Sequence, residues 1–113
     1  MFSYLVTLSG AHFYPSQLSK LSKLDVTTRK DYGETSKSGR KVESGYISIE
    51  ANSIQELHAV VMGIKEEESN IAEIEFNVIR YYEEQCNLEF SANELKLITD
   101  LNAHLCISCS KNS

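Results

Sequence analysis

The chain has 113 residues and a mass of 12.7 kDa, enough for one domain around one core. With 42% hydrophobic and 24% charged residues it is too apolar to stay disordered, and its apolar runs are too interrupted for a membrane helix. Sixteen acids against eleven bases leave a formal charge of −5.

The opening run Met1-Phe2-Ser3-Tyr4-Leu5-Val6-Thr7-Leu8 has no basic start and alternates in polarity. It reads as a strand over 2–8 with Phe2, Tyr4, Val6 and Leu8 on one face, not as a secretory leader, and the expected location is cytoplasmic. Gly10 ends the strand. Pro15 then stands at a first helical position, and Leu18, Leu21 and Leu24 recur at every third residue, which predicts a short helix over 15–24. From 25 to 45 the periodicity vanishes among Ser, Thr, Gly and charged residues, and a flexible basic loop is expected. It holds five of the eleven bases, Arg29, Lys30, Lys37, Arg40 and Lys41. Arg29, Lys30, Arg40 and Lys41 are the candidates for an anion-binding loop, although Asp31, Glu34 and Glu43 blunt their field. Gly33, Gly39 and Gly45 do not open a helix, so no phosphate-loop pattern is present.

From Tyr46 the pattern sharpens. Tyr46–Glu50 alternates with Ile47 and Ile49 inward. Ser53-Ile54-Gln55-Glu56 is a capping box opening a helix over 54–66 with Ile54, Leu57, Val61 and Ile64 on one stripe. Glu66-Glu67-Glu68 lie badly at its negative end and help it stop. Ile71–Tyr82 alternates through Ile74, Phe76 and Val78, a turn follows near Glu83-Glu84, and a strand with Cys86, Leu88 and Phe90 on one face comes next. Ser91-Ala92-Asn93-Glu94 is a second capping box, before a helix with Leu95, Ile98 and Leu101. The last strand carries Leu105, Ile107 and Cys109 inward.

Residues 46–110 thus read as strand, helix, strand, twice over. The expected class is α+β: a ferredoxin-like split βαβ unit over 46–110, an antiparallel or mixed sheet with its helices on one face. Residues 2–24 add a strand and helix at an edge, and residues 1–113 form a single domain. Three cysteines make a disulfide framework improbable by count. Cys106-Ile107-Ser108-Cys109 falls on a strand, where residues three apart face opposite ways, so the thiols are expected to be reduced and structural. No metal site is expected, because Cys86, His104, Cys106 and Cys109 lack a second closely spaced pair.

Tyr81-Tyr82-Glu83-Glu84-Gln85-Cys86-Asn87-Leu88-Glu89-Phe90-Ser91, then Glu94-Leu95, Leu97-Ile98-Thr99-Asp100-Leu101 and Ala103-His104-Leu105-Cys106-Ile107-Ser108-Cys109, form a distinctive closing run. It resembles the bacterial family described as domain of unknown function 4279, which ends with a strand, a serine-started helix and a final strand. Leu8-Ser9-Gly10 followed by Phe13, Pro15 and Leu18 is similar to that family's opening, and Leu24-Asp25-Val26-Thr27 falls at its early turn. The resemblance implies a bacterial source and assigns no catalytic or ligand residue.

The side chains opposite the inward set define the other sheet face: Tyr46, Ser48, Glu50, Glu73, Glu75, Asn77, Ile79, Tyr81, Asn87, Glu89, His104, Cys106 and Ser108. Four carboxylates and no Lys or Arg exclude nucleic acid there, since phosphates are repelled. Tyr46, Glu50, Glu75, Tyr81, Glu89 and His104 are the candidate binding residues, for a basic protein partner or a cation. The charge is divided: residues 1–45 carry seven bases and four acids, +3, and residues 46–113 carry four bases and twelve acids, −8. No catalytic residue and no cofactor is expected, because His104, Cys106 and Ser108 have no orienting acid or oxyanion donor in view. The expectation is a non-enzymatic protein-interaction module, of which an immunity protein is one kind. The alternative is a small-ligand domain with a pocket between the sheet and the 25–45 loop. Neither a membrane nor a nucleic acid is an expected partner, and a homodimer across the acidic face is compatible with the pattern.

Overall fold

Alternation in the first residues makes a strand, and the strand lies at the middle of the molecule. In the computed structural model, which describes residues 2–35, 37–82 and 89–111, β1 (Phe2–Gly10) is followed by β2 (Val26–Lys30), β3 (Gly45–Ala51), α1 (Ile54–Glu67), β4 (Glu73–Tyr82), α2 (Ala92–Asp100) and β5 (His104–Lys111). The five strands form one mixed sheet in the order β2-β3-β1-β4-β5. β1 is antiparallel to both β3 and β4, β2 is antiparallel to β3, and β5 runs parallel to β4.

The α+β class holds. The N-terminal strand is not an edge addition, however: β3–α1–β4 is a crossover between parallel strands with a gap one strand wide, and β1 fills it. The expected turn at Glu83-Glu84 and most of the strand carrying Cys86 and Leu88 lie outside the described residues. Glu89 and Phe90, which are described, belong to no strand.

Both helices pack on the same side. Val6 and Leu8 of β1, Ile47 and Ile49 of β3, and Ile74, Phe76 and Val78 of β4 point to that side and are buried. They meet Ile54, Leu57, Val61 and Ile64 of α1, with Ile98 of α2 and Leu101 at its end. The predicted stripes are therefore the real ones, except that Phe2 is 41% exposed, Leu95 45% and Ile107 on β5 47%. Cys109, also expected inward, is exposed. β5 lies at the edge of the sheet, and Ile107 and Cys109 are exposed there.

The caps are as the sequence wrote them, with one difference. Ser91 accepts from the Glu94 N–H at 3.1 Å and the Glu94 carboxylate accepts from the Ser91 N–H at 3.0 Å, a reciprocal box. Ser53 accepts from Glu56 in the same way, but the Glu56 side chain reaches one residue further back, to the N–H of Asn52. Asn102, just past α2, takes the left-handed conformation at φ 53°, which a short polar side chain tolerates.

Residues 15–24 are not one α-helix but two 3-10 turns, Pro15–Gln17 and Leu21–Lys23. Leucines at a strict three-residue spacing match the three residues per turn of the 3-10 form and drift off an α-helical face. Residues 25–45 are more ordered than a flexible loop. Val26–Lys30 forms β2, and beyond it Gly33 donates to Val42 at 2.9 Å and Val42 to Glu34 at 2.8 Å, with Thr35 bridging Lys41.

Two glycines close the end of the sheet. Gly10 and Gly45 are register partners. A Cβ on Gly45 would lie 1.9 Å from the carbonyl oxygen of Phe13, and one on Gly10 would lie 1.8 Å from that of Asn70. Both obstacles are backbone, which cannot swing aside. Substitution of either glycine by alanine is expected to destabilise the protein by about 1–3 kcal/mol, the range of overpacked sites. Urea denaturation of Gly10→Ala and Gly45→Ala measures this, and an unchanged midpoint would show that the crossing is looser than described.

Candidate functional site

The register aligns the other sheet face in rows. Thr28, Ser48, Thr7, Glu75 and His104 form one row across all five strands. Glu50, Leu5, Asn77 and Cys106 form the next, and Lys30, Tyr46, Ser9 and Glu73 the row on the opposite side. Ser3, Ile79 and Ser108, then Tyr81 with Ser110, continue the face toward the far end. No described helix packs here: the core cluster takes its strand residues from the opposite set.

Five of the six candidate binding residues, Tyr46, Glu50, Glu75, Tyr81 and His104, share this face. The sixth, Glu89, precedes α2 outside any strand. The five are spread out rather than gathered. Tyr46 and His104 lie on strands three spacings apart, about 14 Å at ~4.8 Å per strand. That is the scale of a docking surface, not of a catalytic cluster.

Polar ties hold the middle of the face. Thr7 and Ser48 share a hydrogen bond of 2.8 Å, and Ser48 is buried beneath its neighbours. Ser3 donates to the Glu50 carboxylate at 3.2 Å. Positive charge is confined to the β2 edge, where Lys30 is held 3.7 Å from Glu34. Arg80 lies on the helical side of β4 with its guanidinium 4.6 Å from the centre of the Phe2 ring.

Cys106 and His104, two residues apart on β5, are the nearest approach to a nucleophile and base. The Cys106 thiol does not turn to the imidazole: it donates to the Glu75 carboxylate at 2.9 Å. That hydrogen bond, with some desolvation and the carboxylate's charge, raises the thiol pKa above its ordinary value. A reactive cysteine needs the reverse environment, a cation or a helix N-terminus that favours thiolate. Cys106 is a free thiol, whereas Cys109 is disulfide-bonded, against the expectation that all the cysteines are reduced. Among the described residues no group of three or more His, Cys, Asp and Glu is placed to hold a metal ion.

The four bases of the candidate anion loop do not converge. Arg29 pairs with Ile47 and Lys30 with Tyr46, so the two point to opposite faces of the sheet, and Lys30 is paired with Glu34. Lys41 sits at the bridge with Thr35, and Arg40 is exposed beside it.

Among the described residues, hollows lie elsewhere as well. A polar one of about 310 Å³ lies where Asp25, Glu50 and Glu56 approach Phe2. A larger, mainly apolar groove of about 460 Å³ is bounded by α1 and residues 18–24, not by the sheet and the 25–45 segment. Sequence reading missed this groove. Its one visible signal was Gly63, a glycine inside an otherwise regular helical stripe.

No protein-family model, curated protein or solved structure matches the chain. No described helix is long and apolar enough to cross a membrane.

The Cys106–Glu75 contact has a measurable consequence. With its pKa raised, Cys106 holds less thiolate near pH 8 than an ordinary thiol, so iodoacetamide should modify it slowly. Glu75→Gln removes the carboxylate, lowers the thiol pKa and should move the alkylation rate profile to lower pH. Peptide-resolved mass spectrometry follows the reaction, and superimposable profiles for the two proteins would contradict the assignment.

Proposed function

We propose that the protein is a non-enzymatic interaction module that docks a basic protein on its helix-free sheet face. One observation carries this reading. Open-face positions on the four strands β1, β3, β4 and β5 include Glu50, Glu73 and Glu75 and no Lys or Arg, and the lysine at the β2 edge is committed to Glu34.

The chemistry of the face supports binding over catalysis. The carboxylates attract a cationic surface over distances up to a Debye length, which speeds encounter and selects the sign of the partner. Tyr46 and Tyr81 add amphipathic contact area, since a phenol combines an apolar ring with a hydrogen-bonding tip. The thiol that could have acted as a nucleophile is held protonated by Glu75. The same acidity argues against nucleic acid, whose phosphates would meet Glu73 and Glu75.

A small acidic protein with such a face is suited to neutralise or accompany a basic enzyme, and an immunity protein acting on a toxin is one form of that role.

The test is a capture experiment with charge reversal. The immobilised full chain should retain a basic protein from its source cells, and retention should fall between about 0.1 and 1 M salt as the Debye length shrinks from about 10 to 3 Å. Glu50→Lys combined with Glu73→Lys should abolish it, whereas Glu66→Lys on the helical side should not. Retention that survives the double reversal, or an acidic partner, would overturn the proposal.

A further inference from the structure

The groove beside α1 contains a residue that the fold does not need. Gly63 sits in the interior of α1, where glycine destabilises a helix relative to alanine. Nothing lies within 4 Å of the position a Cβ would take, so no close contact excludes a side chain there. Its effect is on the groove, which it lines together with Leu18, Leu24, Val60 and Ile64. Any larger residue at 63 would project into that space.

The walls are opposite in charge, with Lys20 and Lys23 on the 18–24 side and Glu66 and Glu67 on α1. Glu67 lines one side, but its two oxygens are already taken by Ser19, accepting from the N–H at 2.6 Å and from the hydroxyl at 2.9 Å. This clamp fastens the 18–20 wall to the end of α1 and fixes the carboxylate against Ser19. On the other side Lys20 and Lys23 line the rim, and neither ammonium forms an ion pair among the described residues. Glu66 is the one carboxylate of the lining not engaged in a described hydrogen bond.

We infer that this groove binds a small amphipathic carboxylate, with its apolar chain on Leu18, Leu24, Val60 and Ile64 and its anionic head at Lys20 and Lys23, and that Gly63 keeps the seat open. The volume of about 460 Å³ lies within the range of small-ligand pockets. The site is on the helical side, so it stands or falls independently of the sheet face.

Decanoate is the probe, titrated into the full chain by calorimetry and by amide chemical-shift mapping. Binding should shift resonances of α1 and residues 18–24. Gly63→Leu should weaken it roughly tenfold or more, the loss of at least two buried methylene groups. Lys20→Gln with Lys23→Gln should weaken it roughly two- to fivefold, as for exposed ion pairs. Decanol should bind the natural protein more weakly than decanoate and be indifferent to the lysine changes. Gly63→Ala guards against a folding artefact, and its melting temperature should rise by a few degrees. The inference is overturned if decanoate does not bind at millimolar concentration, if Gly63→Leu binds it unchanged, if decanol binds equally well, or if Gly63→Ala is less stable.

Discussion

The slot between β3 and β4 governs the rest of the molecule. These two strands run parallel, joined by α1, and stand two strand spacings apart with unpaired edges facing each other. Only a strand antiparallel to both can satisfy those edges at once, and β1 does so from Phe2 to Gly10. Without it β3 and β4 would each present a row of free N–H and C=O groups, the arrangement that invites aggregation. With it the two halves of the sheet become one surface, and Val6 and Leu8 complete the apolar floor under α1.

The period of two along β1 then divides the labour between faces. Val6 and Leu8 go to the helices, while Leu5, Thr7 and Ser9 join the open face between the acids of β3 and β4. A slip of one residue would exchange these sets, so the Thr7–Ser48 hydrogen bond and the packing of Val6 describe the same register. The glycine pair at the end of the sheet extends this order. Phe13 and Asn70 bring their carbonyls over Gly45 and Gly10, so the chain leaving β1 crosses β3 closely, and Phe13, Pro15 and Leu18 reach the helical side where the groove forms.

Short-range features were legible in the sequence. Both serine caps and the stripe Ile54, Leu57, Val61 and Ile64 depend on residues three or four apart, and those spacings are written in the chain. Pairing partners were not, because nothing within Phe2–Gly10 states that its neighbours are forty and seventy residues away. β2 escaped because Val26-Thr27-Thr28-Arg29-Lys30 has the β-branched residues of a strand without apolar alternation, and a bulge between Val26 and Thr28 breaks its register. The leucines at 18, 21 and 24 mark a helical segment, but their three-residue period belongs to 3-10 turns and not to an α-helix. The open face was legible from strand alternation, since five of its six candidate residues share that face. The groove was not, because it joins α1 to a segment more than thirty residues earlier, and the functional weight of Gly63 appears only once its surroundings are known to be empty.

Amide hydrogen exchange resolved by residue tests the central position of β1 most directly. If β1 fills the slot, the amides of Leu5 to Ser9 exchange only through global unfolding, as slowly as the most protected amides of β3 and β4. Exchange of β1 through a separate, lower-energy opening while β3 and β4 stay protected would contradict the account, because the sheet would then exist without the strand on which it is built.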